Sequence, residues 1–532
     1  MSTVFKWIFA VQILALAFVS ASAQLPNCPL RPDPGSVVLD PLSLSSQNGT
    51  LSLGLTMRNA ADAFGVMHYC FDYPTPTGLV EAPTLRLNPG DTLSIDFTNQ
   101  LNVSSPAAAA DHAHMHDMAM SVASAIDPCN NTIMTANTTN IHFHGLNVPP
   151  VCHQDDVINT LIQPSTTPFH YSVQIPANEP PGLYWYHPHP HGMTTVQVNG
   201  GASGAIIIGG IEKIKPQVTG LTERVLFVRE QSPPGSSEES GAQLTLNFQT
   251  AISPKAASPI IQMKPNEKQF WRVANTTANT FLALQLLFGT TAQTVELISL
   301  DGVPVTGDPM LTAVNLPPAG RAEFIVTGPP TGTTATFVNA GFDTGPVGDP
   351  APYQALADVV ATGSPAQASK PVPPGVLPSV TQRFSGLAAM TPTTKRRLYF
   401  SEAYSSTADQ PNFFLTVDGQ TPKLFKMNVP PAIVTKVGSV EDWTIENRTS
   451  EVHAFHMHQI HFLVVAVDGK PVQNPTLQDT YMVPYWTGTG PYHNVTLRMD
   501  FRDANIAGTF LYHCHILDHE DGGMMEKIQV NP

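Results

Sequence analysis

The segment near the C-terminus reads Tyr512-His-Cys-His-Ile-Leu-Asp-His-Glu-Asp-Gly-Gly-Met-Met525. Within it, Cys514, His519 and Met524 offer a thiolate, an imidazole and a thioether, which together form the ligand set of copper sites that transfer electrons. Neighbouring side chains on a β-strand point to opposite faces, so Cys514 faces away from the histidines on either side of it. The segment therefore predicts a strand with metal-binding groups on both faces, joined through a few covalent bonds.

The remaining histidines extend this pattern. Three more pairs have one residue between the two histidines, and these are His142 and His144, His187 and His189, and His456 and His458. Each pair would lie on one face of a strand. Together with His513 and His515 they supply enough imidazoles for a cluster of three copper ions. His453 remains, and it completes a trigonal set with Cys514 and His519.

Each signal also has an ordinary interpretation. A single pair of histidines on a strand is more often two polar residues than a ligand set. The His-Cys-His triplet alone is compatible with half of a zinc site, or with a packed cysteine between surface histidines. The four pairs combined with the final Cys-His-Met spacing favour copper over these readings.

The four segments resemble the four copper signatures of the multicopper oxidase family, the laccase-like enzymes, in family order and over essentially the whole mature chain. The resemblance implies an all-β fold of three cupredoxin-like Greek-key β-sandwich domains, and four copper ions: one type 1, one type 2 and a type 3 pair. The family usually has a proline where this chain has Ala454, which should loosen the local turn without removing a ligand.

The resemblance also assigns the ligands. The type 1 ligands would be His453, Cys514 and His519, with Met524 in the axial position. The type 2 ligands would be His142 and His456, and the type 3 ligands would be His144, His187, His189, His458, His513 and His515.

The implied reaction is one-electron oxidation of phenols or aromatic amines, coupled to four-electron reduction of dioxygen to water. Cys514 would pass the electrons to the cluster. Glu520 resembles the family's proton-relay glutamate, and Asp155, with Asp156 as the alternative, lies where the family carries an aspartate near the cluster. Either carboxylate could instead orient a ligand histidine.

Two other functions remain open. One is a metallo-oxidase for Cu(I) or Fe(II) in copper tolerance; the other is a copper-binding electron-transfer protein without oxidase turnover. The full set of cluster histidines argues against a simple carrier, which needs a single blue site. The segment 111–120 alternates His, Met and Asp, and is either a copper-capturing loop or a mobile polar loop.

Length and composition set the domain count. A chain of 532 residues suggests roughly three domains, and 50 prolines and 37 glycines with many Val, Ile and Thr suggest short strands. A strand-turn-strand pattern recurs from Thr84, Ile260 and Ala432, a repeat of about 175 residues. We predict domains at 36–212, 217–362 and 379–532, with a linker at 363–378. The middle domain would be structural and without copper.

The N-terminus and the cysteines predict export. Lys6, the apolar run that follows it and Ala21-Ser-Ala23 indicate a signal peptide at 1–23, hence a periplasmic or secreted protein. Besides Cys514, four cysteines suggest two disulfides with three possible pairings, and sequence proximity favours Cys28 with Cys70 and Cys129 with Cys152. The net charge of −15 argues against nucleic acid as a partner. We expect a monomer.

Overall fold

A computed structural model describes residues 28–29, 31–62, 65–102, 127–231, 243–250, 258–364, 383–404 and 411–532. The predicted signal peptide at 1–23, the His- and Met-rich segment at 111–120 and all but the first residues of the predicted linker at 363–378 lie outside the described residues. Most of the described secondary structure is β-strand, arranged in six sheets that pair into three sandwiches.

The first sandwich packs a sheet of order β1-β5-β10-β9-β7 against a sheet of order β4-β3-β2-β6-β8. Strand β2 shows why the residues form this layer, since its leucines alternate with small or polar residues and are buried in turn. The described strands are β1 (Ser43–Ser45), β2 (Thr50–Ala61), β3 (Met67–Thr75), β4 (Gly78–Glu81), β5 (Thr84–Leu87), β6 (Thr92–Asn99), β7 (His142–His144), β8 (Phe169–Gln174), β9 (Gly182–His187) and β10 (Gly204–Ile208).

The second sandwich has its own core between a larger sheet, β13-β12-β11-β15-β22-β18-β19 with β20 beside β18, and a smaller one, β14-β24-β23-β16-β17 with β21 beside β16. Its described strands are β11 (Thr222–Gln231), β12 (Gln243–Leu246), β13 (Gln249–Thr250), β14 (Ile260–Met263), β15 (Lys268–Asn275), β16 (Leu282–Phe288), β17 (Thr291–Ala292), β18 (Val295–Leu300), β19 (Val303–Pro304), β20 (Met310–Leu311), β21 (Val314–Leu316), β22 (Arg321–Thr327), β23 (Thr334–Asn339) and β24 (Gln354–Ala361).

The third sandwich repeats the arrangement with sheets of order β26-β25-β28-β34-β30-β31, with β32 beside β30, and β27-β36-β35-β29-β33. Its described strands are β25 (Thr394–Ala403), β26 (Asn412–Val417), β27 (Ile433–Lys436), β28 (Ser439–Asn447), β29 (His453–Met457), β30 (Phe462–Val467), β31 (Lys470–Pro471), β32 (Leu477–Gln478), β33 (Thr480–Val483), β34 (His493–Phe501), β35 (Gly508–Cys514) and β36 (Met525–Asn531).

Helices are short. The described α-helices are α1 (Thr194–Asn199), α2 (Ile211–Ile214) and α3 (Leu517–Asp521), and the described 3₁₀ turns are Pro128–Asn130, Pro216–Val218, Leu387–Ala389 and Ala504–Ile506. None of the described helices has the length and apolar character needed to cross a membrane.

The predicted repeat is visible in the sheets. In each sandwich a short strand (β5, β14 or β27) ends at a turn, and the next strand (β6, β15 or β28) enters the opposite sheet. That next strand pairs in parallel with an earlier strand, β2, β11 or β25. This recurrence confirms the all-β prediction of three related sandwiches, while the exact domain boundaries stay a prediction.

Both predicted disulfides are formed, Cys28 with Cys70 and Cys129 with Cys152. Cys514 is free and buried. The first disulfide ties the start of the described chain to β3, close to Arg31, whose guanidinium donates to the Gly200 carbonyl at 2.7 Å. The disulfides therefore reinforce the first sandwich.

Replacing Cys28 and Cys70 together by alanine should lower the free energy of unfolding by about 2 to 4 kcal/mol. Without the disulfide, the unfolded chain is no longer held in a closed loop and gains conformational entropy. Denaturant unfolding of the double variant and the wild type, both oxidised, measures the difference. Equal midpoints would show that this bond contributes no stability.

Candidate metal centres

Strand β35 presents ligands to two different environments. Its pairing with β29 places His513 opposite His456 and Cys514 opposite Phe455. Directly opposed residues share a face, so the two histidines lie on one side of the sheet and Cys514 on the other. Cys514 joins the hydrophobic core of the third sandwich. The sequence prediction that this strand separates thiolate from imidazoles agrees with the structure.

The first sandwich supplies the facing histidines. Strand β7 pairs with β9 so that His142 lies opposite His187. Beyond β9 the chain is held by Asn140, whose side-chain oxygen accepts from the His189 N–H at 2.7 Å. These contacts bring the His-x-His segments of β7 and β9 to the edge of the first sandwich that faces β29 and β35.

The first centre consists of His453, Cys514 and His519, all buried. The Cys514 sulfur lies 3.6 Å from the His453 Nδ1 and 3.9 Å from the His519 Nδ1, and the two nitrogens are 3.2 Å apart. Three donors with metal bonds of about 2.0 to 2.3 Å around one ion, at angles of roughly 105° to 120°, would be separated by roughly 3.2 to 3.8 Å. The donor set and its spacing therefore fit one trigonal copper ion.

Met524 lies next to this centre in the chain and in space. Its carbonyl accepts from the Cys514 N–H at 3.0 Å, and its own N–H donates to the His519 carbonyl at 2.8 Å. Its side chain is fully buried in the third core. These bonds close the loop around α3 and hold Cys514, His519 and Met524 as one unit.

Carboxylates surround the outer nitrogens of this centre. His453 Nε2 lies 2.9 Å from the Thr449 hydroxyl and 3.6 Å from Glu402, and His519 Nε2 lies 3.2 Å from Glu451. Burial, together with the charge of Glu402, raises the pKa of Glu451 to about 9. Both outer nitrogens therefore contact groups that fix the ring orientation and direct Nδ1 inward.

The second group of ligands lies between the first and third sandwiches. Its members include three sets, each with ligand atoms within 4.8 Å of one another, and the last two share His144: His189, His458 and His513; His144, His187 and His515; and His142, His144 and His456. In the first of these sets the Nε2 atoms approach to 3.1 Å and 3.4 Å. Eight histidines at this spacing fit a cluster of metal ions.

Several ring nitrogens of the cluster have no hydrogen-bond partner, which indicates that they bind a metal ion. The Nε2 atoms of His142, His187 and His456, and both ring nitrogens of His515, are buried without a hydrogen-bond partner. A buried polar atom without a partner is costly, so an occupant that accepts nitrogen lone pairs is required. Metal ions satisfy this requirement.

The protonation state also suits a metal. Burial lowers the pKa of every histidine in the two groups, to about 3 for His187 and about 4 for His513. These rings are therefore neutral, as a metal ligand must be. Burial raises the pKa of the Cys514 thiol, so metal binding there must displace a proton.

Two acidic residues predicted from the sequence touch the cluster. The Asp155 oxygens lie 3.0 Å and 3.1 Å from the His142 Nδ1, and Oδ1 also accepts from the Phe143 N–H. Glu520 lies 3.2 Å from the His513 Nδ1 and 3.5 Å from the His189 Nε2. Burial raises the pKa of both carboxyl groups well above their usual range.

The alternative residue, Asp156, is oriented differently. Its carboxylate accepts from the backbone and side chain of Asn159 within its own turn. Of the two adjacent aspartates, Asp155 is therefore the one that contacts a cluster histidine.

Some residues at these centres carry no local sequence signal. Asp479 lies 3.2 Å from the His144 Nε2, and its carbonyl lies 2.8 Å from the His456 Nδ1. The side chain of Gln459 donates to Asp155 from the other sandwich. Glu451 stands two residues before His453, where strand alternation could have suggested a shared face; Asp479 offered no comparable clue.

Asp155→Asn should weaken copper retention at the cluster about 10- to 100-fold, since residues that orient ligand histidines have effects of this size. Chelator titration, followed by copper content and by the electron paramagnetic resonance signal of the bound copper, measures it. Asp156→Asn is the matched control and should behave as the wild type. Equal losses in both variants would contradict the assignment of Asp155.

Comparison with known proteins agrees with this geometry. Two sequence profiles described as multicopper oxidase match residues 124–212 and 392–532. The chain is 23% identical over 469 residues to the multicopper oxidase mco of Staphylococcus haemolyticus, covering 85% of this chain and 83% of that protein.

Solved structures show the same fold. A multicopper oxidase from Campylobacter jejuni described as a metallo-oxidase has a TM-score of 0.69 at 22% identity, with 94% of this chain and 96% of that chain covered. A laccase-like multicopper oxidase from Ochrobactrum sp., with activity towards lignin model compounds, has a TM-score of 0.62 at 18% identity, with 92% and 99% covered.

The fold is cupredoxin-like, and the two histidine-rich centres fit copper sites. The chain belongs to the multicopper oxidase family, as the sequence motifs predicted. Proteins of this family are oxidoreductases that use dioxygen as acceptor and a reduced donor.

Proposed function

We propose that the protein is an exported, monomeric, laccase-like oxidase with four copper ions, which oxidises phenols or aromatic amines one electron at a time and reduces dioxygen to water. The observation that carries the proposal is the position of Cys514, covalently joined to His513 and His515 and buried beside His453 and His519. Bound copper would supply the one-electron steps and the four-electron reduction of dioxygen.

We assign the ligand roles that the family resemblance implies, and the grouping of the histidines supports them. His453, Cys514 and His519, together with the thioether of Met524, would hold type 1 copper, and His142 with His456 would hold type 2 copper. The type 3 pair would be held by two sets, His144, His187 and His515, and His189, His458 and His513. The two disulfides are consistent with export into an oxidising compartment.

The protein's own residues would handle electrons and protons. Electrons would enter at His519, the more exposed ligand of the mononuclear centre, and pass through Cys514 to the adjacent histidines. Glu520, buried and in contact with two cluster histidines, would donate protons to dioxygen. Asp155 would orient His142 and supply a second acid beside that ring.

Cys514→Ser should abolish the blue absorption and lower oxygen uptake with every donor by at least about 100-fold, because the sulfur ligand of the mononuclear centre is lost. Copper content should fall by about one ion per chain while the cluster keeps its copper. Oxygen uptake, visible absorption and metal analysis of the same sample test this. A variant that remains blue would refute the ligand assignment.

A second function, oxidation of Cu(I) or Fe(II), is favoured by the acidic surface at the mononuclear centre. Glu451 contacts His519 directly, and Glu402 contacts His453. Asp349 and Asp518 are exposed, and each raises the pKa of a neighbouring carboxyl group in this surface. A gradient of carboxylates from the surface to a ligand histidine would attract cationic donors.

The two donor classes can be separated at the exposed carboxylates. If metal ions are the donors, Asp349→Asn with Asp518→Asn should lower kcat/KM for Cu(I) or Fe(II) about tenfold and weaken its dependence on salt. Oxidation of 2,6-dimethoxyphenol should change by less than about twofold. Oxygen uptake with the three donors measures this, and the control is Asp33→Asn with Glu212→Gln, two exposed acids elsewhere. Rapid phenol oxidation without metal-ion oxidation would establish the laccase.

A further inference from the structure

We propose that Arg321, a residue of the second sandwich, is a positioning residue for the copper cluster and acts through Asp479. The ligand sets described above contain only residues of the first and third sandwiches. The inference rests on the proposed function, since it concerns how those sets are held. The second sandwich would then help to position ligands of the copper cluster, in addition to packing against the other two sandwiches.

The contact is a buried, two-point ion pair. Arg321 Nη1 donates to the Asp479 Oδ1 at 2.7 Å, and Nη2 donates to Oδ2 at 2.5 Å. Both side chains are fully buried. A planar guanidinium that meets a carboxylate in this way fixes the orientation of the carboxylate as well as its charge.

Asp479 transmits that orientation to two ligands from different sandwiches. Its Oδ1 lies 3.2 Å from the His144 Nε2, which leaves the His144 Nδ1 directed at the cluster and without another partner. Its backbone carbonyl accepts from the His456 Nδ1 at 2.8 Å, which leaves Nε2 free for metal. One residue thus selects the ring nitrogen that each histidine offers.

The second sandwich holds the same residue from its backbone side. Asp301, in the turn after β18, accepts from the N–H groups of Asp479 and Thr480 at 3.2 Å and 3.3 Å. Its other oxygen accepts from the Arg321 N–H at 2.8 Å. Asp301 therefore binds the main chain of Asp479, and Arg321 binds its side chain.

Arg321 also contacts the first sandwich, so one guanidinium joins all three. Its Nε donates to the Leu183 carbonyl in β9 at 3.4 Å. The space around it is closed: a Cβ at Gly145, the residue after His144, would lie 2.7 Å from both the Arg321 Nη2 and the Asp479 Oδ2. The glycine of the His-Phe-His-Gly motif is thus the residue that admits the ion pair beside a ligand.

The test compares Arg321→Gln with Arg272→Gln. Arg272 is a second buried arginine of the same sandwich, paired with Glu223 and Glu323, and contacts no ligand of the cluster in the described structure. Both variants break a buried pair, so both lose stability. We expect Arg321→Gln to keep the blue absorption of type 1 copper but to lose cluster copper to a chelator about 10- to 100-fold more readily. Its type 2 resonance signal should be altered.

Three further measurements make the result decisive. Arg321→Lys keeps the positive charge but cannot make the two parallel hydrogen bonds to Asp479. It should retain more cluster copper than Arg321→Gln. Asp479→Asn should reproduce the loss, and the double variant should be no worse than either single one, because both act through one contact. Parallel losses in the Arg321 and Arg272 variants, or a type 2 signal unchanged in Arg321→Gln, would overturn the inference. A wild-type protein without cluster copper would overturn the proposed function as well.

Discussion

The structure depends on a set of buried, neutral imidazoles, several of which have a ring nitrogen without a hydrogen-bond partner among the described residues. Ligands from β7 and β9 face ligands from β29 and β35 across the contact between the first and third sandwiches. Closing that contact around ring nitrogens without partners would cost free energy, whereas metal ions would form bonds to the same atoms. Binding of metal ions by these histidines and docking of the two sandwiches would therefore stabilise each other.

The existence of the two centres could be predicted from the sequence. Side chains alternate between the two faces of a strand, and this alternation is visible in a short stretch of sequence. The pairs around Cys514 and in β7 and β29 fixed which residues share a face, and hence the existence of two kinds of centre. The choice between Asp155 and Asp156 could not be made, since it depends on how one turn directs two adjacent side chains. Asp479 and Arg321 could not be found either, because their contacts join strands far apart in sequence.

The two centres differ in how charge is arranged around them. At the mononuclear centre, carboxylates lie outside the ring nitrogens and extend to the surface. At the cluster, Asp155, Asp479 and Glu520 are enclosed, and each contacts ligand histidines. The outer acids can interact with a donor in solution, while the inner ones can exchange protons with the cluster and fix its rings. In the proposed reaction, the outer acids therefore lie where the electron donor would approach, and the inner acids lie where dioxygen would be reduced.

The acidic surface at the mononuclear centre is assembled from segments that contribute none of the cluster histidines: the loop around Asp349, the end of β25 near Glu402 and the short connection before β29 that carries Glu451. Natural selection could remodel these segments, changing their charge or adding aromatic groups, while the register of β29 and β35 stayed intact. Such modularity gives a physical route by which a single scaffold could diverge into oxidases for metal ions and oxidases for organic molecules.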